Sequence, residues 1–242
     1  MRGCLIIHGL TETPVCIAPL RERLLASGFK VAAPCLAGHS GTIDDLARST
    51  WQQWYETVRA AYTELRRNSE KIYYVGTSLG TLLGLKLALD EGWGVRALAL
   101  LGTPIVLKRH LSLAHLLVRY TPLRYLIHSM HKDYEQSVHD PEGRLIYKAS
   151  SIPRIPANSV MQLFDLEKHL LKNLRQISNP ILMIHAKRDH LAPLRNLDVI
   201  KKGVSSEVVE TMIFEKSGHV IHLDREREEV ANQVVKFFER FA

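Results

Sequence analysis

Apolar residues fall along this chain in short, nearly unbroken runs, separated by longer stretches where apolar and polar positions recur at helical spacing. The runs 3–7 (GCLII), 29–33 (FKVAA), 71–75 (KIYYV), 96–101 (RALALL) and 180–185 (PILMIH) read as strands, as does 208–213 (VVETMI). The first five do not alternate, which suits strands covered on both faces. Helical spacing predicts helices over 14–27, 50–67, 78–91, 194–202 and 224–241. Gly28 fits the position just past the first helix, and Asp224 fits the N-cap of the last. Strands alternating with helices predict an α/β fold: a mostly parallel sheet of about six strands, helices on both faces and right-handed crossovers.

One interval breaks this rhythm. Between strands 96–101 and 180–185 the chain is helical in character and carries no strand signal. It is too long for an ordinary connection. Residues 108–120 and 122–131 read as two apolar helical pieces split at Pro122, and 157–174 as an amphipathic helix. The expected organisation is a core of residues 1–103 and 179–242, with residues 104–178 inserted as a helical cap over one end of the sheet.

Composition narrows the class. The 242 residues are 46% hydrophobic and 24% charged, as in ordinary globular proteins. No apolar run reaches the length of a membrane span. The opening MRGCLIIHGL is too short in apolar residues for a secretion signal, so a cytoplasmic protein is expected. Cys4, Cys16 and Cys35 are odd in number and lack metal-site spacing, and so read as buried free thiols. The net charge of +7 is locally concentrated: segment 104–132 holds Lys108, Arg109, Arg119, Arg124 and Lys132 with no acidic residue. There is no basic stripe interleaved with aromatics, so no nucleic-acid partner is expected.

The chemistry begins at VGTSLG, residues 75–80, where an apolar run ends and a helical pattern starts without a spacer. A side chain at such a corner projects clear of both elements, and small residues two before and two after let the backbone pass close to itself. Gly76 and Gly80 flank Ser78 in this way, forming a nucleophile elbow. The pentapeptide alone arises by chance in roughly one chain of this length in a dozen, so its position between strand and helix carries the weight. The Leu79 amide at the helix start is placed to stabilise an oxyanion.

A serine hydroxyl needs a base, and the base needs a carboxylate to set its tautomer. His219 lies in a glycine-containing loop, EKSGHVIHLD, between the last strand and the last helix. That loop falls on the same sheet edge as Ser78, where sites form in parallel sheets. His222, one turn on, is a decoy. Asp189 leaves strand 180–185 in MIHAKRDHLAP at that edge, whereas Asp198 falls within a helix and Asp224 at a helix start. After strand 3–7, HGLTETP lets Gly9 bend the chain so that the Leu10 amide faces the serine. His8 reads as a structural tie within this loop.

HGLTETP, LAGHSGT with Trp51 and Trp54 downstream, VGTSLG, HAKRDHLAP and SGHVIHLD together resemble bacterial carboxylesterases and monoacylglycerol lipases of the α/β-hydrolase superfamily. The resemblance runs from residue 5 to the final helix and implies Ser78, Asp189 and His219 as a triad, Leu10 and Leu79 as oxyanion donors, and no metal or organic cofactor. It implies an ester hydrolase acting on short- to medium-chain acyl groups, monoacylglycerols among them. The same triad also serves thioesters, amides and carbon–carbon bonds, and the fold hosts non-catalytic binders.

Three positions depart from the family pattern: Glu12 stands where glycine is usual, Thr77 replaces a larger apolar residue, and Ser40 replaces a glycine. Glu12 either reshapes the oxyanion loop or places a carboxylate at the site mouth. The family also carries about two further strands before the HG strand, where this chain begins. Either the sheet is shorter and leaves strand 29–33 as an edge, where an exposed edge favours a homodimer, or the start codon is placed too late. The basic, apolar cap has two readings: packing on the domain with its cationic stems extended to water, or lining an acyl pocket with its charges against a lipid surface.

Overall fold

A computed structural model describes residues 1–106 and 128–242. Six strands form one sheet: β1 (Arg2–Ile7), β2 (Lys30–Ala32), β3 (Lys71–Thr77), β4 (Ala97–Leu101), β7 (Ile181–Ala186) and β8 (Val209–Phe214). Between β4 and β7 lie two short strands, β5 (Ser129–His131) and β6 (Arg154–Pro156), paired antiparallel. The order across the main sheet is β2-β1-β3-β4-β7-β8, and every pair is parallel. This is the expected six-stranded sheet, with β2 and β8 at its edges.

The non-alternating strand sequences have a simple cause. Leu5, Ile7, Tyr74, Leu98, Leu100 and Met183 enter one apolar cluster. Their neighbours, including Cys4, Ile6, Tyr73, Ala99 and Ile184, enter a second on the opposite face. Both faces are covered, so both sets must be apolar. The edge strand β8 differs: its burial alternates and Ile213 is exposed.

Helix α1 (Ala18–Ala26) packs on the second face, where Leu20 and Leu24 join the cluster of α9 (Arg227–Glu239). The opposite face carries α2 (Ile43–Arg48), α3 (Trp51–Arg67), α4 (Leu79–Glu91) and α8 (Arg195–Gly203). The chain leaving β1 therefore turns to one face and the chain leaving adjacent β3 to the other. That makes a switch point, where a crevice opens beyond the carboxyl ends of the strands. Strand ends are in step there, with Ile7 opposite Gly76 and Thr77 opposite Leu101.

Gly28 takes a left-handed conformation (φ 80°) just past α1, as its position after the helix predicts. Asp224 is not the N-cap of the last helix. That helix starts at Arg227, after Glu226, which makes no side-chain cap. Residues Ile221–Leu223 instead form a 3₁₀ turn that swings the Asp224 carboxylate inward, where it accepts the N–H groups of Gly218, His139, Asp140 and Arg225 at 2.7–2.9 Å.

The interval between β4 and β7 contains, among the described residues, α5 (Tyr134–Ser137), α6 (Pro141–Ala149) and α7 (Ala157–Leu171) besides the β5–β6 ribbon. Helix α7 follows the amphipathic reading of 157–174. Its Leu163, Leu166 and Leu170 join the core cluster of α3 and α4. The helical piece expected over 122–131 is corrected at its end, where residues 129–131 form β5 and bond to β6. The rest of it, the piece at 108–120, and the cationic residues Lys108, Arg109, Arg119 and Arg124 lie outside the described residues. Among the described residues no helix is long and apolar enough to cross a membrane.

Candidate active site

The site is built from loops that leave the carboxyl ends of β1, β3, β4, β7 and β8. At the end of β3, Ser78 stands at φ 48°, ψ −116°, a conformation non-glycine residues rarely adopt. Its N–H donates to the Leu101 carbonyl (2.9 Å), and its own carbonyl accepts the Thr81 N–H (2.9 Å). These bonds hold the strained corner in place. Both flanking glycines are required sterically: a Cβ on Gly76 would collide with the Gly80 carbonyl, and one on Gly80 with the Ile7 carbonyl. The turn thus presses against β1 while the Ser78 side chain projects outward.

His219, in the loop after β8, receives that side chain. The Ser78 hydroxyl donates to His219 Nε2 at 2.9 Å, and His219 Nδ1–H donates to Asp189 Oδ2 at 2.7 Å. The other carboxylate oxygen of Asp189 accepts the N–H groups of Leu191 and Ala192, each at 2.8 Å. Asp189 is thereby fixed in orientation, and it fixes the imidazole tautomer with the lone pair toward serine. Gly102, left-handed at φ 65° after β4, lies under the ring; a Cβ there would sit 3.2 Å from the His219 carbonyl. The three side chains named from sequence meet in one bonded line.

Burial would push the Asp189 carboxyl up, but the His219 charge and hydrogen bond, with the two loop amides, hold it below the usual carboxylate range. Burial would lower the His219 pKa; the charge and hydrogen bond of Asp189, with the charge of Glu12, outweigh it and raise it above the ordinary imidazole value. A base of this kind works only when neutral. The acid limb of kcat/KM is therefore expected to have its midpoint above about 6.5. A limb centred below that value in a pH–rate profile would contradict the electrostatics described here.

The loop after β1 faces the serine corner. Leu79 is the first residue of α4, so its N–H has no partner within the helix. The Leu10 N–H has no acceptor among the described residues. The expectation for the bend is corrected: Gly9 is not left-handed, and the turn is made by Thr11 at φ 71°. Gly9 matters for space, because a Cβ there would stand 2.9 Å from the Glu12 carboxylate. The tie expected of His8 is present: its Nδ1–H donates to the Gly9 carbonyl (2.9 Å) and its Nε2 accepts the Leu36 N–H (3.1 Å). Burial brings its pKa down to about 4.

The family model for serine aminopeptidase, S33 (Hydrolase_4) matches residues 2–226. The chain belongs to this family. As a member of the serine-hydrolase branch of the α/β-hydrolases, it is similar to a thermostable monoacylglycerol lipase of a Bacillus species, at 27% identity over 99% of this chain and 91% of the relative. It is also similar to a carboxylesterase of Bacillus subtilis, at 24% identity over 99% and 93%. The fold matches a solved structure from work on the metagenome-derived lipolytic enzymes LipS and LipT (TM-score 0.87, 22% identity, 99% and 94% covered). It likewise matches the monoacylglycerol lipase of Paleococcus ferrophilus (TM-score 0.80, 21% identity, 99% and 95% covered).

Within this α/β-hydrolase, Glu12, noted in the sequence as a departure in the loop after β1, is a buried group. Glu12 is not at the mouth: it is 2% exposed, and its Oε2 accepts the Gly9 N–H at 2.9 Å. His222 Nε2 lies 3.7 Å from the same oxygen. Burial, reinforced by the neighbouring His219 and His8, pulls the His222 pKa down to about 3. His222 makes no hydrogen bond to Ser78, His219 or Asp189 among the described residues. The residue that sequence reasoning missed, Gly102, had a signal in the sequence: Gly-Thr-Pro directly after a strand marks a tight turn.

Proposed function

We propose that this protein is a serine esterase that cleaves carboxylic esters of short- to medium-chain acyl groups, monoacylglycerols among them, through an acyl-enzyme on Ser78. The observation carrying this reading is the continuous line from Asp189 through His219 to Ser78, with bonds of 2.7 and 2.9 Å. His219 Nε2 takes the hydroxyl proton as Oγ attacks the ester carbonyl. The amides of Leu10 and Leu79 receive the negative oxygen. His219 then passes the proton to the leaving alcohol oxygen. A water, deprotonated by His219, attacks the acyl carbon, and the collapsing intermediate returns the proton to Ser78 Oγ and releases the acid. Asp189 stays ionised throughout.

The insertion, residues 104–178, is proposed as the cap that sets acyl length. Its described part is bound to the oxyanion loop: Thr13 N–H donates to the Ser150 carbonyl (3.1 Å) and Ile152 N–H to the Thr11 carbonyl (2.8 Å). Names of relatives favour esters, while the family description names a peptidase activity, so both bond types belong in the test. A fluorophosphonate should label Ser78. A panel of p-nitrophenyl esters and monoacylglycerols from C2 to C16, with aminoacyl p-nitroanilides alongside, should show turnover peaking at short to medium acyl chains. Turnover of anilides alone would replace the ester reading with an amidase.

A further inference from the structure

This chain carries a buried acidic side chain, Glu12, within the oxyanion loop itself, where Ser78, His219 and Asp189 do not use it. Glu12 closes a small ring with Gly9: its carboxylate accepts the Gly9 N–H at 2.9 Å, and its own N–H donates to the Gly9 carbonyl at 3.2 Å. The two residues inside this ring are Leu10 and Thr11, and Thr11 is held left-handed at φ 71°. A loop with a strained residue needs ties on both sides to keep one geometry. From the other side Glu12 bridges to Ser151 of the insertion.

The surroundings answer the charge. The Lys132 ammonium has no hydrogen-bond acceptor among the described residues and sits 4.5 Å over the Tyr147 ring and 5.7 Å from that of Tyr134. Ionised side chains are almost never buried without a reason. We propose that Glu12 is a positioning residue of the oxyanion hole: its buried carboxylate clasps the Gly9 amide and so fixes where the Leu10 N–H points. This rests on the reading of Ser78 as nucleophile and Leu10 as oxyanion donor.

The ionisable groups facing Glu12 are Lys132, His219, His222, Cys16 and Tyr147. Burial raises the Glu12 carboxyl pKa, against the Gly9 amide, Lys132 and His219, which stabilise its charge. Glu12 in turn helps hold His219 up. Burial brings Lys132 down to about 8, with Glu12 opposing. In Glu12→Gln, His219 loses a supporting negative charge and the acid limb of kcat/KM moves to lower pH.

The test uses the intact protein, with rates normalised to active sites titrated by a fluorophosphonate. Glu12→Gln is expected to lower kcat about ten- to hundredfold with KM within about threefold, less than the roughly 10²–10³-fold cost of deleting an oxyanion donor outright. The affinity for an alkyl trifluoromethyl ketone, which forms an oxyanion on the serine, should fall in parallel with kcat/KM. Wild-type kinetics and ketone affinity in Glu12→Gln would overturn the proposal, as would a loss that vanishes on normalisation. Should that variant not fold, Glu12→Asp, one methylene shorter, decides, and wild-type kcat and ketone affinity in it overturn the proposal. A wild-type protein that neither labels nor turns over esters sinks the esterase reading instead.

Discussion

Replacing Ser78 by alanine is expected to cut kcat/KM for p-nitrophenyl butyrate by about 10⁶-fold and leave the fold intact. The reason lies in how this residue is tied. Its backbone holds the corner through the bonds from its N–H to Leu101 and from Thr81 to its carbonyl, and alanine keeps both. Its hydroxyl bonds only to His219, so the substitution removes the nucleophile and little else. Thermal denaturation should therefore give nearly the same Tm. His219→Ala should cost a similar factor, and the double variant should be no worse, because the two groups act as one unit. Asp189→Asn should cost about 10⁴-fold, since an amide can donate to Nδ1 and hold the wrong tautomer. Turnover within tenfold of wild type in Ser78→Ala would end the acyl-enzyme account.

Most of the fold is legible in the sequence, because its signals are local. An unbroken apolar run such as RALALL has few options besides a strand buried on both faces, and Gly28 after a helical stretch marks its end. The elbow is equally local: glycines at positions 76 and 80 are forced by backbone that passes within touching distance of itself and of β1. The meeting of Ser78, Asp189 and His219 is not local. It follows from topology, since loops after parallel strands share one edge and the β1–β3 switch opens a crevice there.

What the sequence left open depends on packing between distant segments. Glu12 in HGLTETP is polar and lies in a loop, and nothing nearby in the chain says that it is buried with His222 and Ser151 against it. Gly9 looked like the residue that bends the loop, yet the bend is at Thr11, because the Gly9–Glu12 ring and the bonds to Ser150 and Ile152 hold Thr11 in place. Asp224 looked like an N-cap by the rule that favours aspartate there. The rule loses because four backbone N–H groups, three of them from other segments, offer the carboxylate more than one helix end can.

Asp224 also carries the second large expectation. Its carboxylate, 0% exposed, takes Gly218 N–H at 2.7 Å and His139 N–H at 2.9 Å on one oxygen, and Asp140 and Arg225 N–H, each at 2.8 Å, on the other. It thus ties the residue before His219 to the start of α6, which the Asp140–Arg227 ion pair also ties to α9. Truncation to alanine strands these donors away from water and should cost roughly 4 kcal/mol. For a chain of this size that lowers Tm by about 8–16 °C. Asparagine should rescue little: its amide group would point N–H at N–H on one side. The effect should reach catalysis as well, since Gly218 sets the start of the His219 loop. At temperatures where Asp224→Ala remains folded, kcat should fall while KM changes less. Calorimetry showing a Tm within 2 °C of wild type would mean that the four donors find other partners and that this clamp does not hold the loop.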